Sequence, residues 1–164
     1  MEKQLLVLHL GSNMGNRFKY LKGALKLLDV EFGTSLKISG TYKTKAWGNQ
    51  QQPDFLNLAV IYETNSEPIT ILKLIKGIEA TTGRKTRKHW HEREIDIDII
   101  FYGNEIFKNS NLEIPHVQMQ NRRFVLVPLN EICPEYIHPV LKLKVSELLK
   151  KCSDNLNVEK WENI

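Results

Sequence analysis

Apolar and polar positions along the chain fall into segments with distinct periods. KQLLVLHL (3–10) is a Leu/Val run that predicts a strand, and GSNMGN after it predicts a turn. RFKYLKGALKLL (17–28) sets Phe18, Leu21, Leu25 and Leu28 at helical spacing. SLKISGTYKT (35–44) predicts a strand with Leu36, Ile38 and Gly40 on one side. AWGNQQQPD (46–54) is loop by composition, and FLNLAVIYE (55–63) is a strong strand. EPITILKLIKGIEATTG (67–83) predicts a helix that opens on a proline, ends at Gly83 and lines up Ile71, Leu74, Ile75 and Ile78. RKTRKHWHER (84–93) is a charged loop leading into a strand within EREIDIDIIFYGN (92–104), with EIF (105–107) as its expected hairpin partner.

Residues 115–132 predict an irregular helical region broken at Pro115 and Pro128, and KVSELLKKC (144–152) predicts a helix. From about 153 the chain is polar and expected to fray. The order β-α-β-β-α-β, with strands returning by hairpin, predicts an α+β ferredoxin-like sandwich. That is a mainly antiparallel sheet with helices packed on it, as one domain over residues 1–164.

The second strong strand carries the first chemical signal. Asp96 and Asp98 alternate with Ile95, Ile97, Ile99 and Phe101, so both carboxylates take one face and the apolar side chains the other. Their Cα atoms stand about 6.6 Å apart at roughly 3.3 Å per residue. At that spacing two carboxylates bracket one hard cation, or share two cations about 3.5–4 Å apart. The alternative is an amphipathic strand with its polar face in water. Arg84, Lys85, Arg87, Lys88 and Arg93 precede the pair, with His89, Trp90 and His91 among them. Carboxylates for a metal beside guanidinium groups for phosphate oxygens point to metal–polyphosphate handling, whereas the loop alone also suits nucleic acid.

A second pocket is signalled by Asn57. It shares a strand face with Phe55 and Ala59, while Leu56, Leu58 and Val60 take the other. An amide inside a strong strand needs partners and suits the edge of a flat heterocycle, with Phe55, Trp90 and Phe124 as stacking candidates. LGSNMGNR lacks the lysine of a phosphate loop and the dinucleotide glycine pattern, and is read as a strand-to-helix turn near the site.

Composition adds little to this and removes several classes. At 41% hydrophobic and 26% charged residues, 164 residues make one soluble-type domain. A net charge of +4 favours acidic partners without choosing among them. Cys133 and Cys152 are far apart, which argues against a disulfide framework or cysteine zinc site. Neither a signal-peptide core nor a membrane-length apolar run is present, so the expected compartment is the cytoplasm.

GSNMGNR, QQQPDFLNLAV, IEATTGRKTRKHW, REIDIDIIFYGN and IPHVQMQNRRFVLVPLNEICPE follow one another along the chain. In that order they resemble the 6-hydroxymethyl-7,8-dihydropterin pyrophosphokinase family over about residues 5–150. The resemblance implies transfer of a pyrophosphoryl group from ATP to a pterin alcohol, with AMP released, in folate biosynthesis. It implies two Mg²⁺ ions on Asp96 and Asp98, across the triphosphate, and phosphate clamping by Arg84 and Arg93. ATP contacts fall on Glu79, Arg84, Trp90, Arg93, Ile99, His116 and Arg122. Pterin contacts fall on Thr44, Trp47 and Gly48 of the 44–48 main chain, on Asn57 at the ring edge, and on Phe55 with Phe124 as the sandwich.

Phe55 stands where some members carry Tyr, HWHER where many read RWGPR, and Val117 where some place an aromatic. The 84–93 loop is shorter than in some members, so either Thr86 or Arg87 takes the place of a second loop arginine. The expected partners are the two small-molecule substrates, with no nucleic acid, no membrane and a monomeric chain. A basic RNA-binding domain of the same fold leaves Asp96 and Asp98 unexplained, and an ordinary kinase shares the metal residues but releases ADP.

Overall fold

The computed structural model describes residues 2–46, 48, 51–88 and 91–164. Strand β1 (Gln4–Ser12) lies at the centre of an antiparallel sheet, between β4 (Phe55–Thr64) and β5 (Asp96–Tyr102). Beyond β4 come β3 (Tyr42–Thr44) and then β8 (Val158–Lys160), giving the order β5-β1-β4-β3-β8, while β2 (Lys37–Ile38) also pairs with β4. Four helices complete the α+β fold: α1 (Arg17–Phe32), α2 (Pro68–Thr82), α3 (Arg123–Ile132) and α4 (Val145–Lys151).

The period-2 pattern of the strands divides the core in two. Leu6, Leu8 and Leu10 of β1, with Leu56, Leu58 and Val60 of β4, meet Leu21 and Leu28 of α1 and Ile71, Ile75 and Ile78 of α2. On the other face Val7, Ala59, Ile61 and Phe101 meet Val125, Leu126 and Leu129 of α3 and Val145 and Leu148 of α4. The start of α1 is capped by a side chain, and α2 ends at the glycine expected from the sequence. The Asn16 side chain accepts from Lys19 N at 3.0 Å, and Gly83 ends α2 at φ 112°, where a side chain would be strained.

Five expectations are corrected. The stretch 35–44 is two short strands, because residues 39–41 face only two residues of β4, and Leu36 and Ile38 stay exposed. Phe101 leaves the face of Ile95, Ile97 and Ile99: the β1–β5 register slips between Val7 and Leu8, and this bulge reverses the alternation. Residues 105–107 do not pair with β5. Instead β6 (Phe107–Lys108) and β7 (Glu113–Ile114) form a separate two-stranded sheet.

Pro128 does not break α3. The helix runs from Arg123 through it to Ile132, and only Met119–Asn121 before it is a short 3₁₀ turn. The tail does not fray, since β8 pairs with β3 from Thr44↔Val158 to Tyr42↔Lys160. Glu131 of α3 ties this edge together by accepting from Tyr42 Oη (2.7 Å), Gly40 N (3.1 Å) and Lys160 Nζ (3.1 Å). A polar strand is what an exposed sheet edge tolerates.

Candidate active site

An open cleft of about 710 Å³ lies over the α3 face of the sheet, at the ends of β1, β4 and β5. Antiparallel register sets its floor in two rows. Asn57, Gly11 and Asp96 lie side by side on β4, β1 and β5, and Ala59, His9 and Asp98 form the next row. With strands about 4.8 Å apart, the Asn57 and Asp96 backbones are separated by roughly 10 Å. Gly11 keeps that span open. A Cβ built there would stand 2.9 Å from Asn57 Oδ1 and 3.3 Å from Phe55 Cδ1.

Asn57 is 1% exposed, and its Nδ2 donates to Thr44 Oγ1 at 2.8 Å. Its Oδ1 has no partner among the described residues. A buried acceptor left open in this way costs free energy until a donor arrives. Phe55 from the start of β4 and Phe124 from the first turn of α3 line the same cleft. Gly48 lies in the expected loop, with φ 87°. Trp47 and Trp90 fall outside the described residues.

The carboxylate end is strongly charged. Asp96 Oδ1 is 3.1 Å from Arg84 Nη1 and 3.2 Å from Arg93 Nη1, so both ends of the 84–93 loop are drawn onto one side chain. Behind Arg84, the buried Glu79 pairs with the same Nη1, accepts from Ile97 N at 3.1 Å and lies 3.4 Å from Lys76 Nζ. Burial raises the Glu79 pKa, with the Arg84 charge opposing. Asp98 has less support: His116 Nε2 is 4.0 Å away. Enclosure by the cleft, and then the charge of Asp96, pushes its carboxyl up to about 7, although 33% of the side chain still meets solvent. Burial holds His116 down to about 4, and burial also lowers Arg122, against the pull of Asp98.

This donor set fits a hard cation. Two carboxylates share one face, one of them pushed above its ordinary range by enclosure and then by the other's charge, and a cation between them offsets that cost. Among the described residues no group of three or more His, Cys, Asp or Glu forms a complete cage. Mg²⁺ does not need one, since it keeps several waters and takes one or two carboxylates plus substrate phosphates.

The structure thus brings together Thr44, Phe55, Asn57, Arg93, Asp96, Asp98, Arg122 and Phe124 around the cleft. Arg84 and Glu79 line a second hollow beside it with Lys76, Lys85 and Arg87. Ile99 is the exception. Its side chain is 4% exposed and packs in the α1/α2 core, turned away from Asp98. The choice between Thr86 and Arg87 also gains a fact. Both Nη atoms of Arg87 hold Glu94, at 2.7 and 2.8 Å, and this pairing pulls Glu94 down to about 2.

Sequence reasoning missed His9, Gly11 and Asn13. Asn13 is 1% exposed and joins the two loops: its Nδ2 donates to Gln52 Oε1 (3.1 Å) and Pro53 O (3.2 Å), and its Oδ1 accepts from Arg93 N (2.8 Å). The available signal was the polar run Gly11–Ser12–Asn13 closing an otherwise apolar strand.

Comparison with known proteins gives the family. Residues 7–134 match the family described as 7,8-dihydro-6-hydroxymethylpterin-pyrophosphokinase (HPPK). The 2-amino-4-hydroxy-6-hydroxymethyldihydropteridine pyrophosphokinase of Haemophilus influenzae is 40% identical over 147 residues, covering 89% of this chain and 91% of that one. The Aquifex aeolicus protein of the same name is 41% identical over 140 residues, covering 85% and 87%. Among solved structures, Plasmodium falciparum HPPK-DHPS superposes with a TM-score of 0.71 at 22% identity, over 92% of this chain. This chain spans only 41% of that structure's length, and the likeness carries the fold alone.

Proposed function

The chain belongs to the 7,8-dihydro-6-hydroxymethylpterin-pyrophosphokinase family, and from that premise we propose how its own residues carry the reaction. The reaction transfers a pyrophosphoryl group from ATP to the hydroxymethyl group of 6-hydroxymethyl-7,8-dihydropterin in folate biosynthesis, and AMP leaves. The observation that carries the residue assignment is the row Asn57–Gly11–Asp96. It sets a heterocycle reader and the first of the two carboxylates on the strands either side of β1, with only Gly11 between them.

In this reading Phe55 and Phe124 sandwich the pterin, and Asn57 Oδ1 accepts from the ring edge. Thr44 Oγ1 holds that amide in place from behind. The hydroxymethyl group then points along the floor toward Asp96 and Asp98. Those two carboxylates would hold two Mg²⁺ ions, which when bound neutralise triphosphate charge and polarise the phosphoryl oxygens. Arg84 and Arg93 turn from Asp96 to the phosphates as these arrive, and His116 and Arg122 complete the ATP side. The chain's contribution is positioning and charge complementarity, with the hydroxymethyl oxygen set in line with the β-phosphorus. Asn13 keeps the 51–54 and 91–93 segments in register, so that both loops close on one cleft and exclude water.

The strand order β5-β1-β4-β3, with α1 and α2 on one face, supports the ferredoxin-like assignment. The enzyme works in this reading as a single-domain monomer in the cytoplasm, where its ATP is, without nucleic-acid or membrane partners. An RNA-binding role is disfavoured by where the loop's arginines point: Arg84 and Arg93 turn inward to Asp96, and Arg87 to Glu94, while Lys85 and Lys88 stay exposed.

Incubation with ATP, Mg²⁺ and the pterin, followed by chromatography of the nucleotides, tests the reading. AMP is expected only when the pterin is present. ADP in its place would overturn pyrophosphoryl transfer, and no turnover by folded protein would overturn the site. The open floor has its own test. Overpacking typically costs about 1–3 kcal/mol, so Gly11→Ala should raise the pterin dissociation constant by roughly 5-fold or more while ATP binding holds. Calorimetric titration of each substrate checks this, and unchanged pterin affinity would remove Gly11 from the floor.

A further inference from the structure

Helix α3 carries Phe124 in its first turn and Pro128 one turn later. A proline inside a helix offers no N–H, so the carbonyl four residues back loses its helical donor. Here that carbonyl belongs to Phe124. His9 on β1 fills the gap: its Nε2 lies 3.3 Å from Phe124 O. Its ring also meets the Phe124 ring edge-on, with centroids 5.6 Å apart and planes at 63°. His9 is 3% exposed. A carbonyl oxygen only accepts, so the ring nitrogen that faces it carries a proton and Nε2 is the donor. Other groups hold the same turn from outside the slot: Arg123 N donates to Asp154 Oδ2 at 3.0 Å, and the Arg122 guanidinium lies over the Phe124 ring, 6.0 Å from its centroid.

We propose that His9 is a positioning residue for the pterin slot: it donates to the carbonyl that Pro128 leaves without a donor, braces the Phe124 ring edge-on, and so fixes the angle at which Phe124 closes on the heterocycle. The sheet makes this possible. His9 stands between Ala59 and Asp98, on a rigid central strand, so the wall of the slot takes its orientation from the strand that carries Gly11 in the floor. Without His9 the carbonyl is left seeking a donor and the ring loses one side of its packing. Both losses bear on the pterin and neither bears directly on ATP.

The inference rests on the reading of Phe124 as one wall of the pterin slot, and the experiment separates the two. Dissociation constants for the pterin and for a non-hydrolysable ATP analogue are measured by calorimetry on Phe124→Ala, His9→Ala, His9→Gln, Pro128→Ala and the His9→Ala/Pro128→Ala double variant. Phe124→Ala should weaken the pterin; if it does not, the wall assignment fails first. His9→Ala should weaken the pterin by about 5- to 10-fold, the scale of one lost hydrogen bond, with ATP-analogue affinity changed less than twofold. His9→Gln keeps an N–H donor and should recover most of the loss, and it carries the test should the alanine variant fail to fold. Pro128→Ala restores a backbone donor to the same carbonyl, so His9→Ala should cost less in that background. Equal losses for both ligands, no loss from His9→Ala beside a clear loss from Phe124→Ala, or strict additivity in the double variant would each overturn the positioning role.

Discussion

Asp98→Asn is expected to reduce turnover at least about 1,000-fold while leaving the folded protein as stable as before, or more so. The two effects have one cause. Asp98 sits beside Asp96 in a cleft that pushes its carboxyl from 3.8 up to about 7, with enclosure the larger influence and the charge of Asp96 next. An acid whose folded pKa is raised favours the folded state while protonated, and that contribution is lost as pH rises from about 4 through about 7. At pH 8, without a cation, the native protein therefore carries an unfavourable carboxylate. Asparagine removes its charge without changing its shape. The gain is modest, because 33% of the side chain meets solvent.

Function runs the other way, since the charge that is unfavourable without a cation is what a bound cation requires. Melting curves at pH 8 with and without Mg²⁺ and a non-hydrolysable ATP analogue provide a reading besides activity. The native protein should be stabilised by that combination, and the Asn variant much less. Full activity in the variant, or equal stabilisation of both proteins, would remove Asp98 from the cation site.

What could be read in the sequence and what could not divide along one physical line. Features set by local alternation were legible. Asp96 and Asp98 on one face, and Asn57 on the face opposite Leu56 and Leu58, follow from a period of two within one strand. The end of α2 follows from Gly83. Features set by pairing between distant segments were not. The bulge that sends Phe101 to the α3 side exists only because β1 and β5 meet out of step. The polar stretch at the C-terminus becomes a strand only because β3 offers it an edge and Glu131 a charge. His9 drew no notice within β1, because its partner is a carbonyl 115 residues away. Pro128 looked like a helix breaker for the same reason: the chain tolerates the missing N–H where a side chain from another element supplies the donor.

Asn57→Ala should weaken pterin binding by about 5- to 150-fold and leave ATP binding within twofold. Asn57 Nδ2 already has its partner in Thr44 Oγ1, whereas Oδ1 is buried with none among the described residues. The free protein therefore carries an unsatisfied acceptor, and a pterin N–H relieves it on binding. The interaction gained is a bond in an enclosed site plus release of that penalty, about 1–3 kcal/mol in sum. Because the penalty is borne by the free protein, removing the amide should cost little stability. Thr44 Oγ1 loses a donor, and the cavity of a truncated asparagine opens onto the cleft, where water can enter.

The split between the two substrates carries the argument. Asn57 is separated from Asp96 by the whole width of β1, with only Gly11 between, so a change at one end of the row should not reach the other. Thr44→Val provides the intermediate case. It removes the Oγ1 that orients the amide and should cost less than Asn57→Ala, about 3- to 5-fold, and again for the pterin only. Calorimetry with each ligand, alone and with the other bound, reads all of these. If Asn57→Ala lowered both affinities alike, the residue would be holding the sheet rather than reading the ring, and the open Oδ1 would have to be met by something other than substrate.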